Sequence, residues 1–123
     1  RMARRKDWIF CHLGRVVSAD VCVMVADFFL RVASINWSVV SGVVNKRLVV
    51  IFRNDGIRKS AGTVAERSFG AYGSAGGHKS MARAEITPDL IEEALDLNDD
   101  AQVQRWLIRR ISANSGYKRR PKT

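Results

Sequence analysis

Apolar positions along the chain change their period several times, and each change marks an element. Trp8 to Leu13 is a short, aromatic, β-favouring run closed by Gly14, which predicts a first strand. Val21, Met24, Val25, Phe28, Phe29, Val32 and Ala33 then recur at spacings of three and four, so they share one stripe of a helix whose expected place is the core. Ser18 or Asp20 is available as its N-cap, and Asp27 and Arg31, four apart on the other face, are expected to pair there for a few tenths of a kcal/mol.

Asn36 to Val44 and Arg47 to Phe52 are two β-branched, apolar runs joined by Asn45-Lys46, a pattern that predicts a hairpin because Asn tolerates positive φ. Leu48 to Ile51 is apolar without alternation, so this strand is expected to be covered on both faces. Asp55-Gly56 is a turn signal, and Ser60 to Phe69 reads as a short helix with Ala61, Val64, Ala65 and Phe69 on its apolar side. A glycine-rich loop follows, and Met81 to Ile86 then alternates like a strand. Thr87-Pro88 predicts a helix carrying Leu90, Ile91, Ala94 and Leu95. A last helix, capped by Asn98 or Asp99, turns Val103, Trp106, Leu107 and Ile111 inward, and from Asn114 onward a disordered basic tail is expected. The order β, α, β, β, α, β, α, α predicts an α/β or α+β domain with a mixed sheet of about four to five strands flanked by helices.

Composition narrows the partners. A chain of 123 residues with 46% hydrophobic content makes one domain with a real core. Lys and Arg number 21 against 12 Asp and Glu, a net charge of +9 that favours a polyanionic partner such as nucleic acid or a nucleotide. Part of the excess is terminal, at Arg1, Arg4, Arg5 and Lys6 and at Lys118-Arg119-Arg120-Pro121-Lys122, where solvated ends are the plainer expectation. Cys11 and Cys22 lack CxxC spacing and form no zinc pattern with His12 and His78, so a reduced, cytoplasmic protein is expected. The longest apolar run is broken by Asp27 and Arg31, which argues against a membrane partner, and no signal-peptide order is present. The opening Arg1-Met2-Ala3-Arg4-Arg5 fits a piece of a longer protein and equally a remnant of added residues.

Candidate chemistry concentrates between Gly70 and His78, where four of nine residues are glycine and the last is one of two histidines. A P-loop is excluded, because His78 stands where that motif needs Gly before the Lys, and because a helix precedes and a strand follows instead of the reverse. A dinucleotide fingerprint fails on glycine spacing. Two histidines are too few for a hydrolytic metal centre, and Asp99-Asp100 reads as a helix start. Ser74 and Ser80 lie near His78 in sequence with no third group to orient a nucleophile. What remains is either a turn before a strand or an anion-binding loop. The latter would use backbone N–H groups at Gly76 and Gly77 and the His78 imidazole, with Lys79 and Arg53 as counter-charges. His78 fits equally a hydrogen bond that holds the loop's shape.

Gly73-Ser74-Ala75-Gly76-Gly77-His78 followed by Met81-Ala82, with Ala26-Asp27-Phe28-Phe29-Leu30-Arg31 on a helix, Ser41-Gly42-Val43 on one strand and Arg53 ending the next, resembles the DHHA1 domain of DHH-family phosphoesterases. The likeness runs from about residue 8 to about residue 90 and is nearest to exopolyphosphatase-related and oligoribonuclease-like members. It implies a two-domain enzyme in which an N-terminal DHH domain holds manganese and hydrolyses a phosphoester, while the DHHA1 domain grips the phosphate or nucleotide end of the substrate. Carried over, the gripping residues are Gly76, Gly77, His78 and Arg53, with Ser74 and Lys79 beside them; Asn54 departs from the serine common after the arginine.

The Asp-His-His motif is absent, so this chain by itself is expected to carry no catalytic residue and no metal ligand, the manganese belonging to a DHH domain outside it. Residues 1–113 are then a substrate-binding domain (core 8–90, C-terminal helices 88–113) and 114–123 a tail. Its expected partners are a short RNA, DNA or nucleotide and the DHH domain, with an oligomer possible. The alternatives are a non-catalytic nucleic-acid-binding module acting through its basic termini and an enzyme in its own right with His78 as general base.

Overall fold

The computed structural model describes residues 2–32, 34–57, 59–91 and 95–115. One six-stranded mixed sheet organises the chain. It contains β1 (Met2–Arg5), β2 (Trp8–Arg15), β3 (Trp37–Val44), β4 (Arg47–Asn54), β5 (Gly73–Gly77) and β6 (Met81–Ile86), in spatial order β1-β2-β3-β4-β6-β5. Helix α1 (Ala19–Val32) is the crossover that makes β2 and β3 parallel, and every other neighbouring pair is antiparallel. Helices α2 (Ala61–Phe69) and α3 (Asp100–Asn114) cover the opposite face. The fold is thus α+β with a mixed sheet, as the pattern predicts.

The two faces have different cores. Leu48, Val50 and Phe52 of β4 point into the larger one with Val64, Phe69, Val103, Leu107 and Ile111, while Val49 and Ile51 point into the smaller one under α1 with Cys11, Cys22 and Val40. Strand β4 is therefore covered on both sides, which is why its apolar run does not alternate. The β3–β4 turn falls at Asn45-Lys46 with φ of 48° and 65°, the conformation that a two-residue hairpin demands. Ser60 caps α2 by accepting from Thr63 N, and Asp99 caps α3 by accepting from Gln102 N at 3.1 Å. Arg110 of α3 donates to the Ser68 carbonyl at 3.0 and 3.2 Å and lies over the Tyr72 ring, which ties both helices to the chain just before β5.

Four expectations are corrected. The sheet has six strands where about four to five are expected, because the charged N-terminal run pairs in register with β2 as an edge strand and the glycine run is β5 instead of a loop. Arg4 and Arg5 therefore belong to a folded, exposed edge, where charge opposes unwanted strand pairing. Arg1, Ala33, Ala94 and the run Lys118 to Lys122 lie outside the described residues.

Helix α1 is rotated from the expected orientation: Ala19, Cys22 and Ala26 face the sheet, while Met24, Phe28 and Val32 are exposed. Small residues win this face because the helix sits close to β3. A Cβ on Gly42 would lie 3.0 Å from Cys22 Sγ and 2.7 Å from Val16 Cγ2, leaving no room for Met or Phe there. Asp27 pairs with Arg53, Nε to Oδ1 at 2.8 Å, and not with Arg31.

Among the described residues, Thr87-Pro88 starts only a 3₁₀ turn, Pro88–Leu90, with no side-chain cap from Thr87. Thr87 N is still bonded to Tyr72 O in continuation of the β5–β6 ladder, and Leu90 faces solvent while Ile91 and Leu95 are buried.

Candidate anion-binding site at the β5–β6 hairpin

Strands β5 and β6 form a hairpin whose tip is Lys79-Ser80, closed by the His78 N–H donating to Met81 O at 2.7 Å. The tip also serves α2: the carbonyls of His78 and Lys79 accept from Gly62 N at 2.9 Å and Ala61 N at 2.8 Å. Two N–H groups of that helix's first turn are thereby satisfied by the hairpin itself and are not offered to a ligand.

Most glycines of the run have structural causes. A Cβ on Gly73 would lie 2.0 Å from Glu85 O, one on Gly77 2.4 Å from Met81 O and 2.5 Å from Ala82 Cα, and one on Gly62 2.7 Å from Gly77 O. Backbone runs against backbone at each of these positions. Gly76 differs, since a Cβ there would meet nothing within 4 Å.

Register places that gap. Gly76 pairs with Arg83, which points away from the core that holds Ala82, Ala84 and Ile86. Gly76, Ser74, Met81, Arg83 and Glu85 therefore share the face on which α1 lies, but α1 packs over β3 and β4 and leaves the β6–β5 part of that face open. Arg53, next to last in β4, lies on this same face in register with Met81, and its Nη1 approaches Met81 Sδ at 2.9 Å. A groove of about 370 Å³ lined by Asp27, Leu30, Arg31 and Arg53 runs beside it.

The structure thus puts Arg53 on the strand next to the hairpin end that carries His78 and Lys79, both exposed, and puts Ser74 and Gly76 on the open face. It does not leave the expected backbone donors all free. The His78 N–H is taken by Met81 O, and Gly76, two residues before it in the ladder, lies in the set bonded to β6, so Gly77 is the residue of the pair that turns its N–H outward. Asn54 is 4% exposed and holds the β4–α2 loop, donating to Lys59 O at 2.7 Å and accepting from Gly56 N at 2.7 Å. Arg83, hydrogen-bonded to Glu85, is a further cation on this face, and only its outward position on an alternating strand marks it in the sequence.

A second polar cluster lies under α3. His12, 1% exposed, shares a hydrogen bond at 2.8 Å between Nδ1 and Ser41 Oγ, and its Nε2 stands 3.5 Å from Asp100 Oδ1. Burial pushes the imidazole pKa below its ordinary value, against the opposing pull of the Asp100 carboxylate. Ser41 is 1% exposed, so no substrate reaches its hydroxyl, and the cluster serves to tie β2 and β3 to the start of α3. Among the described residues no three His, Cys, Asp or Glu side chains converge on a metal position, and no helix is long and apolar enough to cross a membrane.

The α+β fold, one mixed six-stranded sheet with helices on both faces, is DHHA1-like. Two solved structures carry that assignment. The C-Ala domain of alanyl-tRNA synthetase from Aquifex aeolicus matches with a TM-score of 0.58 at 13% identity, covering 87% of this chain and 97% of that one. The pGpG-specific phosphodiesterase PggH from Vibrio cholerae matches with a TM-score of 0.50 at 18% identity, covering 92% of this chain but 36% of that one. At these identities the likeness is one of fold. No protein-family model matches the sequence, and no curated protein matches it.

Proposed function

We propose that this chain is a substrate-binding domain that grips the phosphate end of a short nucleic acid or nucleotide at the β5–β6 hairpin. The observation that carries the reading is Gly76: it is the glycine of the hairpin with no neighbour to require it, on an open sheet face flanked by Arg53 and Arg83. A glycine that packing does not need leaves room for close approach by a ligand. The outward N–H of Gly77, the His78 imidazole and the Lys79 ammonium supply donors at the tip, and Arg53 supplies a planar fork suited to phosphate oxygens. Ser74 adds a hydroxyl on the same face.

Asp27 has a defined part in this arrangement. Its ion pair fixes the Arg53 guanidinium at the mouth of the groove, so an incoming phosphate meets a positioned cation and competes with a carboxylate for it. The net charge of +9 favours encounter with a polyanion. The likeness to PggH, which acts on pGpG, supports a short linear nucleotide as the ligand class, and the C-Ala likeness is compatible with RNA. Hydrolysis is assigned to a separate DHH domain. Manganese finds no fitting donor set among the described residues.

The test is substitution of Gly76 by Ala, with Arg53→Ala beside it, followed by titration with a 5′-phosphorylated dinucleotide. Both variants should fold as the wild type does; Arg53→Ala should bind at least about tenfold more weakly, the loss expected for one charge-assisted contact, and Gly76→Ala should also bind more weakly because its methyl fills the space left for the ligand. Unchanged affinity in both would contradict the proposal. Binding that disappears instead on neutralising Arg4, Arg5 and Lys6 would favour a module acting through its basic terminus.

A further inference from the structure

Helix α1 carries an apolar stripe that nothing among the described residues covers. Among the described residues eight large hydrophobic side chains are exposed, and three of them, Met24, Phe28 and Val32, stand on this one helix, with Val17 just before it. At roughly 100° per residue, Asp20, Met24, Phe28, Arg31 and Val32 fall within about 120° of one another, directly away from the buried Ala19, Cys22 and Ala26. The stripe has an acidic end at Asp20 and a basic end at Arg31, and neither side chain makes an ion pair among the described residues.

That pattern is complementary to itself when reversed. A twofold axis passing the helix near residue 26 sets Met24 opposite the partner's Phe28, and the same axis sets Asp20 opposite the partner's Arg31, so both contacts occur twice. Antiparallel alignment also opposes the two helix dipoles. A parallel arrangement would instead place Asp20 against Asp20 and Arg31 against Arg31. We propose that two copies of this chain pair through α1 in an antiparallel, twofold-symmetric interface centred on Met24 and Phe28 and flanked by Asp20–Arg31 ion pairs. The centre of the interface, Met24 and Phe28, lies on the exposed outer side of α1 and lines no part of the groove beside Arg53, whereas Arg31 borders both.

Sedimentation velocity over roughly a hundredfold range of concentration tests it, because a reversible dimer shifts with mass action. The expected result is a monomer–dimer transition in the wild type that Met24→Glu and Phe28→Glu each abolish. These positions are exposed, so far-ultraviolet circular dichroism should show both variants folded. Asp20→Lys or Arg31→Glu alone turns two attractive contacts into two repulsive ones and should weaken the dimer about tenfold. The double variant Asp20→Lys/Arg31→Glu should restore it. A wild type of monomer mass at every concentration overturns the proposal, and so does a double reversal that fails to recover the dimer.

Discussion

The hairpin's glycines divide into those the backbone requires and one it does not, and stability measurements separate them. In Gly77→Ala the new methyl would lie 2.4 Å from Met81 O and 2.5 Å from Ala82 Cα, about 1 Å inside ordinary contact, with backbone atoms that cannot rotate away. Gly77 also abuts Gly62, so a shift to relieve the clash disturbs the α2 first turn that the hairpin caps. The expected cost is about 2 to 3 kcal/mol, the upper part of the overpacking range. Gly62→Ala, with its methyl 2.7 Å from Gly77 O, should cost a similar amount, on the order of 2 kcal/mol. Gly76→Ala meets nothing within 4 Å and removes only unfolded-state freedom, so it should be neutral or stabilise by about 0.5 kcal/mol. Urea denaturation of the three variants reads these differences directly, because equal slopes leave the midpoint as the measure of stability. A Gly76→Ala loss as large as that of Gly77→Ala would show that Gly76 is structural, and the reason for proposing a ligand beside it would be gone.

Other outcomes follow from single contacts. His12 has its pKa lowered in the folded state, so below about pH 6.5 the unfolded chain binds a proton that the native chain resists; stability should therefore fall as pH drops from 7 through that value, and His12→Gln should flatten this part of the profile. Ser41→Ala removes the Nδ1 partner at 2.8 Å inside the sheet and should destabilise by about 1 to 2 kcal/mol in thermal unfolding. Asp27→Asn frees Arg53 at a stability cost below about 1 kcal/mol, since both side chains are near one-third exposed, and should tighten phosphate binding in a calorimetric titration. Burial pushes the Cys22 thiol up to about 11, so iodoacetamide should modify it only when the protein unfolds.

How far each element could be read depended on which force decided it. Strand β4, the Asn45-Lys46 hairpin and α3 follow from local pattern and local caps, and the structure has them where the pattern puts them. Helix α1 was legible as a helix but not in its rotation. Met24, Phe28 and Val32 of its apolar stripe are exposed, while Val25 and Phe29 only flank the core, because close packing on Gly42 admits only Ala and Cys, a fact of two elements at once. β5 has almost no strand propensity and exists because β6 offers a free edge and α2 closes over the turn. Of the candidate site, the chain marks Gly76, Gly77 and His78 by composition and Arg53 by position. It marks Arg83 only as an outward position on an alternating strand, and it cannot mark the Asp27–Arg53 pairing or the consumption of the His78 N–H by Met81, since these depend on register across strands.

The central claim is tested most directly by following backbone amide resonances while a 5′-phosphorylated diribonucleotide is added. A grip at the β5–β6 hairpin predicts saturable shifts at Gly76, Gly77, His78 and Lys79 and at Arg53 and Arg83, lost in Gly76→Ala. Shifts confined to β1, with the hairpin silent at saturation, would contradict it.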